Sequence, residues 1–190
     1  VVGSADVYKR QVKEGITNGT SATTFSPGNT CTTAQILTFL WRANGSPNSN
    51  AACPASDVAE TSPFYKALCW ANEKDLMTKG SGSTPCTRAA AVTYLWKLAG
   101  SPKMSVNSSF TDVPASADFA QAVAWAVEQG VTNGVSASEF APDSTCTRGQ
   151  IVTFLYRNLL IEYFAPAFKF SLQTQPSEIC LLYTSDAADD

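Results

Sequence analysis

The sequence contains no histidine. That removes the commonest general base and metal ligand, and with it any histidine-dependent triad or zinc site. Six cysteines are present, Cys31, Cys53, Cys69, Cys86, Cys146 and Cys180, but no two form a C-x-x-C pair. This argues against zinc or iron–sulfur binding, and no metal or other cofactor is expected. No stretch approaches twenty consecutive apolar residues, so no membrane span is encoded. Charge is sparse and nearly balanced, with 13 basic against 16 acidic residues, which leaves no polybasic tract to hold nucleic acid. Carboxylates alone can build a hydrolytic site, but none is convincingly paired along the chain, and the sequence reads as non-enzymatic. At 190 residues there is room for one or two compact domains.

What the chain does contain is a repeat. The run Gly15-Ile16-Thr17-Asn18-Gly19, Phe25-Ser26-Pro27, Cys31-Thr32-Thr33-Ala34-Gln35 returns as Gly130-Val131-Thr132-Asn133-Gly134, Phe140-Ala141-Pro142, Cys146-Thr147-Arg148-Gly149-Gln150, every pair 115 positions apart. A middle copy carries Cys86-Thr87-Arg88-Ala89-Ala90 and closes on Gly100-Ser101-Pro102, as the first copy closes on Gly45-Ser46-Pro47. Cys31 to Cys86 spans 55 positions and Cys86 to Cys146 spans 60; the middle loop is five residues shorter and lacks the Phe-x-Pro element. The period exceeds that of the common two-helix solenoids.

Each copy reads as helix, long loop, helix. In copy three the first helix is predicted over about 117–129, where Phe119, Ala122, Val123 and Ala126 keep a helical period with Trp125 near the same face. Trp70 stands 55 positions earlier. Asn18-Gly19 and Asn133-Gly134 predict tight turns. The second helix opens on a Thr-x-x-Gln capping box at Thr32 to Gln35 and Thr147 to Gln150; copy two keeps the Thr but has Ala90 in place of the return partner. Helix pairs this short cannot bury an apolar face alone, so the copies should pack into one core.

Phe110-Thr111-Asp112-Val113, the aromatic first helix, the Gly-Ile/Val-Thr-Asn-Gly turn, the Phe-x-Pro loop and the Thr-Arg-x-Gln helix start occur in that order. In this the chain resembles the S-layer homology family over about 12–160, most completely in copy three. The resemblance implies an all-α protein whose tandem helix-loop-helix repeats pack as a pseudo-threefold bundle. It implies a non-catalytic anchor on the bacterial cell surface. Such an anchor holds secondary cell-wall polysaccharide, possibly pyruvylated, in grooves between repeats. Boundaries are expected at 12–47 (a truncated repeat one, its first helix absent or replaced), 55–102 (repeat two) and 108–160 (repeat three). Carried over residue by residue, Arg88 and Arg148 match the family's ligand-facing arginine, whose fork suits an acidic sugar's carboxylate. Copy one has Thr33 there.

Each residue also has a plain structural reading. Gln35 and Gln150 match an acidic or amide position but already serve the capping boxes. Asp57 and Asp112 match the opening aspartate and read first as caps or braces for the start of the first helix, with ligand contact second. Trp70 and Trp125 read first as core, with sugar stacking second. Cys31, Cys86 and Cys146 read as small buried thiols. Two other functions remain open: a structural or protein-binding repeat array, and the accessory region of a larger secreted enzyme. The ends fit no repeat. Asp6 to Gln11 resembles a translated transposase-type sequencing adapter, and Cys180 to Ser185 resembles the complementary strand. Residues 1–11 and 180–190 are therefore expected to be adapter-derived, and 161–179 are unassigned.

Overall fold

The computed structural model describes residues 4–21, 23–106 and 109–168. The expectations for 169–190, Cys180 among them, lie outside the described residues. Six helices are present among the described residues: α1 Ser4–Lys13, α2 Thr33–Ala43, α3 Tyr65–Glu73, α4 Arg88–Leu98, α5 Ala120–Glu128 and α6 Arg148–Phe168. Apart from isolated β-bridges such as Thr32 with Pro85, the described residues are helix and loop, so the protein is all-α.

The second helices begin where the capping signals place them. Thr32, Thr87 and Thr147 each accept the amide of the residue three positions on, at 3.2–3.3 Å. Gln35 and Gln150 complete the box by accepting the cap residue's own N–H at 3.0 and 2.9 Å. The Gly-Ser-Pro triplets then stop α2 and α4. Gly45 and Gly100 turn to φ 81° and 87°, a left-handed conformation that glycine adopts without Cβ strain. The Trp41 and Trp96 indoles lock each end by donating to Pro47 O and Pro102 O at 2.8 and 2.9 Å. Of the two predicted turns, Gly134 takes a positive φ of 82° but Gly19 does not. Gly19 is required for another reason: a Cβ there would lie 2.5 Å from two backbone carbonyl oxygens, those of Ser21 and Thr24.

Helices pair across the repeats. α3 packs on α2, α5 on α4 and α1 on α6, so each first helix rests on the second helix of the preceding copy and the last pair closes the circle. A ring of backbone bonds links the copies at their cysteines. Cys31 N–H donates to Cys146 O (2.9 Å), Cys86 to Cys31 (2.9 Å) and Cys146 to Cys86 (2.8 Å). This is a pseudo-threefold bundle. Its single core runs through all three copies and includes Ile36, Leu40, Leu68, Leu95, Val123 and Ile151.

In repeat one the first helix is replaced and not absent, the second of the two outcomes its sequence left open. A helix occupies that place, although its residues carry no repeat motif. α1 turns Val7 and Gln11 inward, stacks Tyr8 on Phe25 at 4.7 Å, and keeps an exposed Arg10–Glu14 ion pair outside. The fit is imperfect. Gln11 falls in register with Ala71 and Ala126, is 1% exposed, and has a buried Oε1 with no hydrogen-bond partner.

Candidate functional site

Three seams join the repeats, each made by the N-terminus of a second helix and the loop of the next copy. At the first seam Thr33 N–H and Ala34 N–H donate to Thr84 O and Gly82 O (2.8 and 2.9 Å). At the second, Arg88 and Ala89 donate to Ser144 O and Pro142 O (2.9 and 3.0 Å). At the third, Arg148 and Gly149 donate to Asn29 O and Pro27 O (2.8 and 2.9 Å). Amides that a helix start leaves without intrahelical partners are thus satisfied by a neighbouring repeat.

The two arginines lie inside their seams. Arg88 is 4% exposed; its Nε donates to Phe140 O at 2.8 Å and its Nη2 to Thr132 Oγ1 at 3.4 Å. The guanidinium carbon stands 4.8 Å from the Phe140 ring centre and 5.6 Å from that of Phe154. Arg148, 5% exposed, repeats the arrangement with Phe25 O (3.2 Å), Asn18 O (2.7 Å) and the rings of Phe25 and Phe39 at 4.8 and 5.6 Å. Burial pulls both guanidinium pKa values down. The thiol of Cys146 and the Asp112 carboxylate oppose the shift at Arg88, and the Cys31 thiol opposes it at Arg148. In both of these seams the cation is planar, flanked by aromatic faces and bonded through its fork, a geometry that lysine could not reproduce.

The first seam is built differently, and two departures from the repeat meet there. Thr33 replaces the arginine, and its hydroxyl donates to Thr84 O at 3.1 Å. Across from it, the shortened loop of copy two has Gly80 in the register of Phe25 and Phe140. The aromatic on the facing helix becomes Tyr94, whose hydroxyl is pushed up to about 12, chiefly by burial. Arginine and loop phenylalanine are therefore lost together, as the two halves of one contact.

The aspartates brace loops. Asp112 accepts the amides of Phe140 (2.9 Å) and Ala141 (2.7 Å), so it sets the loop that covers Arg88. Burial acts to raise its pKa, but these amides and the nearby Arg88 charge bring it below the usual carboxylate value. Asp57 accepts from the hydroxyls of Ser81 (2.6 Å) and Ser83 (2.7 Å) and from the amides of Gly82 (2.7 Å) and Ser83 (3.0 Å). Those bonds hold its carboxyl well below the ordinary range. Both side chains thus fix the loop before the second helix, not the start of the first, because that loop returns across the repeat's own N-terminus.

Trp70 and Trp125 are 1% and 6% exposed and belong to the core. Gln35 and Gln150 sit on the first turn of their helices, each offering its carbonyl oxygen to the box. Cys31, Cys86 and Cys146 are buried around the backbone ring, and burial pushes the Cys31 and Cys146 thiols up to about 12 and about 11. Among the described residues no group of three or more His, Cys, Asp or Glu could hold a metal ion, and no helix is long and apolar enough to cross a membrane. The aromatic partners Phe39, Phe154, Phe25 and Phe140 were not singled out by sequence reasoning as site residues, although their shared repeat positions carried the signal.

Beside the third seam lies an open cleft of about 490 Å³. Phe25, Gly19 and Thr24 form one wall; Tyr8, Lys9 and Lys13 of α1 form the other. One of its two walls is therefore the helix that carries no repeat motif.

The comparisons with known proteins bear on this geometry. No curated protein matches the chain. The family model for the S-layer homology domain matches residues 109–152, a span that holds Asp112, Trp125, Phe140 and Arg148. An S-layer homology domain is therefore present in the part of the chain that forms repeat three.

Proposed function

We propose that the chain is a non-catalytic anchor that holds a bacterial surface protein to the cell wall by binding secondary cell-wall polysaccharide at the seams between its repeats. The observation that carries this reading is the S-layer homology match over residues 109–152, together with recurrence of that repeat's seam chemistry at the third seam. In this reading the segments 12–47, 55–102 and 108–160 act as one unit, because every seam needs two copies.

The residues have distinct parts. Arg88 and Arg148 rigidify the seams and lend positive potential to their rims. Asp57 and Asp112 shape the loops that border them. Gln35 and Gln150, at the seam edge with amide groups beyond the capping contact, are the side chains placed to meet sugar hydroxyls. Trp70 and Trp125 support the fold from the core. The polysaccharide, acidic through pyruvate or a comparable group, is the partner, and the setting is the cell wall outside the membrane. A catalytic domain carried elsewhere on a longer protein would leave this local role unchanged.

A structural or protein-binding repeat array is the second reading. It is favoured by the arginines' commitment of Nε and Nη2 to protein atoms and by the divergent first seam. Co-sedimentation of the full chain with peptidoglycan sacculi, with and without attached polysaccharide, separates the two. Anchoring predicts retention only on polysaccharide-bearing sacculi. A folded chain that stays in the supernatant of both would overturn it.

A further inference from the structure

Two of the cysteines stand apart from the seam. Cys53, just ahead of repeat two, and Cys69, within it, have no cysteine counterpart in the next copy: 55 positions on stand Ser108 and Ala124. Cys31, Cys86 and Cys146, by contrast, recur in all three copies. Both thiols are thus present together and both absent 55 positions on, as expected of residues that work as a pair.

The fold brings them together. After α2 the chain runs back along α3, where Ser49 Oγ donates to Cys69 O (3.3 Å) and Asn72 Nδ2 donates to Ala52 O (2.9 Å). These bonds lay Cys53 against the helix face that carries Cys69. The Cys53 thiol donates to Ala55 O at 3.8 Å, and burial, with the nearby Cys53 thiol, pushes the Cys69 thiol up. Cys53 is half-buried against the core and Cys69 is 5% exposed, so Cys53 is the more accessible residue of the two.

We propose that Cys53 and Cys69 form a redox-active pair that closes to a disulfide, tying the segment between repeats one and two to helix α3. The oxidant is a disulfide donor, either low-molecular-weight or carried by an oxidoreductase. The Cys53 thiolate attacks one donor sulfur, forming a mixed disulfide and releasing the first donor thiol. The Cys69 thiolate then attacks the Cys53 sulfur and displaces the second donor thiol. Two protein thiols are oxidised, the donor disulfide is reduced to two thiols, and the protein's two protons end on them. The closed loop contains Asp57, whose carboxylate organises Ser81 to Ser83 at the first seam, so oxidation stiffens the one seam that has no arginine.

The test uses the full chain, incubated with oxidised glutathione or with dithiothreitol, then alkylated, digested with trypsin without reduction and weighed. The expected product of oxidation is a linked pair of peptides, 43–66 and 67–74, lighter than their sum by two hydrogens. Dithiothreitol should yield both peptides alkylated. The oxidised chain should melt roughly 5–10 °C higher than the reduced one. That shift should vanish in Cys53→Ser and persist in Cys180→Ser. Recovery of Cys53 and Cys69 as separate glutathione adducts, as free alkylated thiols after oxidation, or linked to any other cysteine would overturn the proposal. The peptide masses come from the unmutated chain, so the outcome does not depend on a variant folding.

Discussion

Truncating Arg88 to alanine should unfold the second seam before it touches anything else. The side chain is 4% exposed and donates from Nε to Phe140 O, and the rings of Phe140 and Phe154 flank its guanidinium. A hydrogen bond from a charged donor contributes about 1.5–3 kcal/mol, and its loss leaves the Phe140 carbonyl buried without that partner. Each desolvated cation–ring contact adds roughly 1 kcal/mol. Freeing the protein from burying a charge offsets part of this. The net expectation is a loss of about 3 kcal/mol, or roughly 6–12 °C in Tm. Arg88→Met, which fills the space without a charge, should cost less than Arg88→Ala, and Arg148→Ala should match Arg88→Ala because its contacts repeat. Thr33→Ala removes a single neutral bond at the equivalent position and should cost only about 1 kcal/mol. Urea unfolding followed by far-UV circular dichroism measures all four. An Arg88→Ala chain as stable as the parent that nonetheless fails to bind sacculi would overturn this expectation, since the guanidinium would then serve the ligand and not the seam.

Three further perturbations follow from the same contacts. Asp57 and Asp112 have folded pKa values below their unfolded value of about 3.9, so their stabilisation is fully present above that value and lost as pH falls through the folded one. Acid titration of stability should therefore show a loss below about pH 4 that becomes shallower in an Asp57→Asn/Asp112→Asn chain. Gln11→Ala should stabilise by about 1 kcal/mol, because it removes an unpartnered buried carbonyl and restores the alanine found at positions 71 and 126; an unchanged or lower Tm would contradict this. Thr147→Ala should cost about 1 kcal/mol through loss of its cap to Gln150 N, with Gln150→Ala costing less, both read from urea midpoints.

The local elements were largely legible. Capping threonines and Gly-Ser-Pro triplets act within a few residues, and α2 and α4 start and stop on those signals. The first helix of repeat three, expected over about 117–129, spans Ala120–Glu128. Pairing across copies was not legible, because an apolar stripe records that a face is buried without recording which neighbour covers it. The arginines illustrate the limit best. Their backbone partners are carbonyl oxygens 52, 123 and 130 positions away, and a carbonyl leaves no trace in the residue alphabet. The loss of Arg at Thr33 and of Phe in the middle loop was visible as two separate departures. Only the circular arrangement reveals them as one seam. α1 shows the converse: a segment without repeat motifs forms a helix because Val7, Tyr8 and Gln11 fall on one side, and the buried Gln11 carbonyl records the mismatch.

If the seams of this bundle bind an acidic wall glycan directly, the interaction should survive removal of the sacculus. Isothermal titration of the full chain with purified secondary cell-wall polysaccharide, released from peptidoglycan and compared before and after removal of its acidic substituents, tests that without the bulk of the wall. Direct binding predicts a saturable response to the acidic form that weakens as salt is raised and is lost with the substituents. No binding by a chain that circular dichroism shows to be folded, or equal binding to both forms, would contradict it.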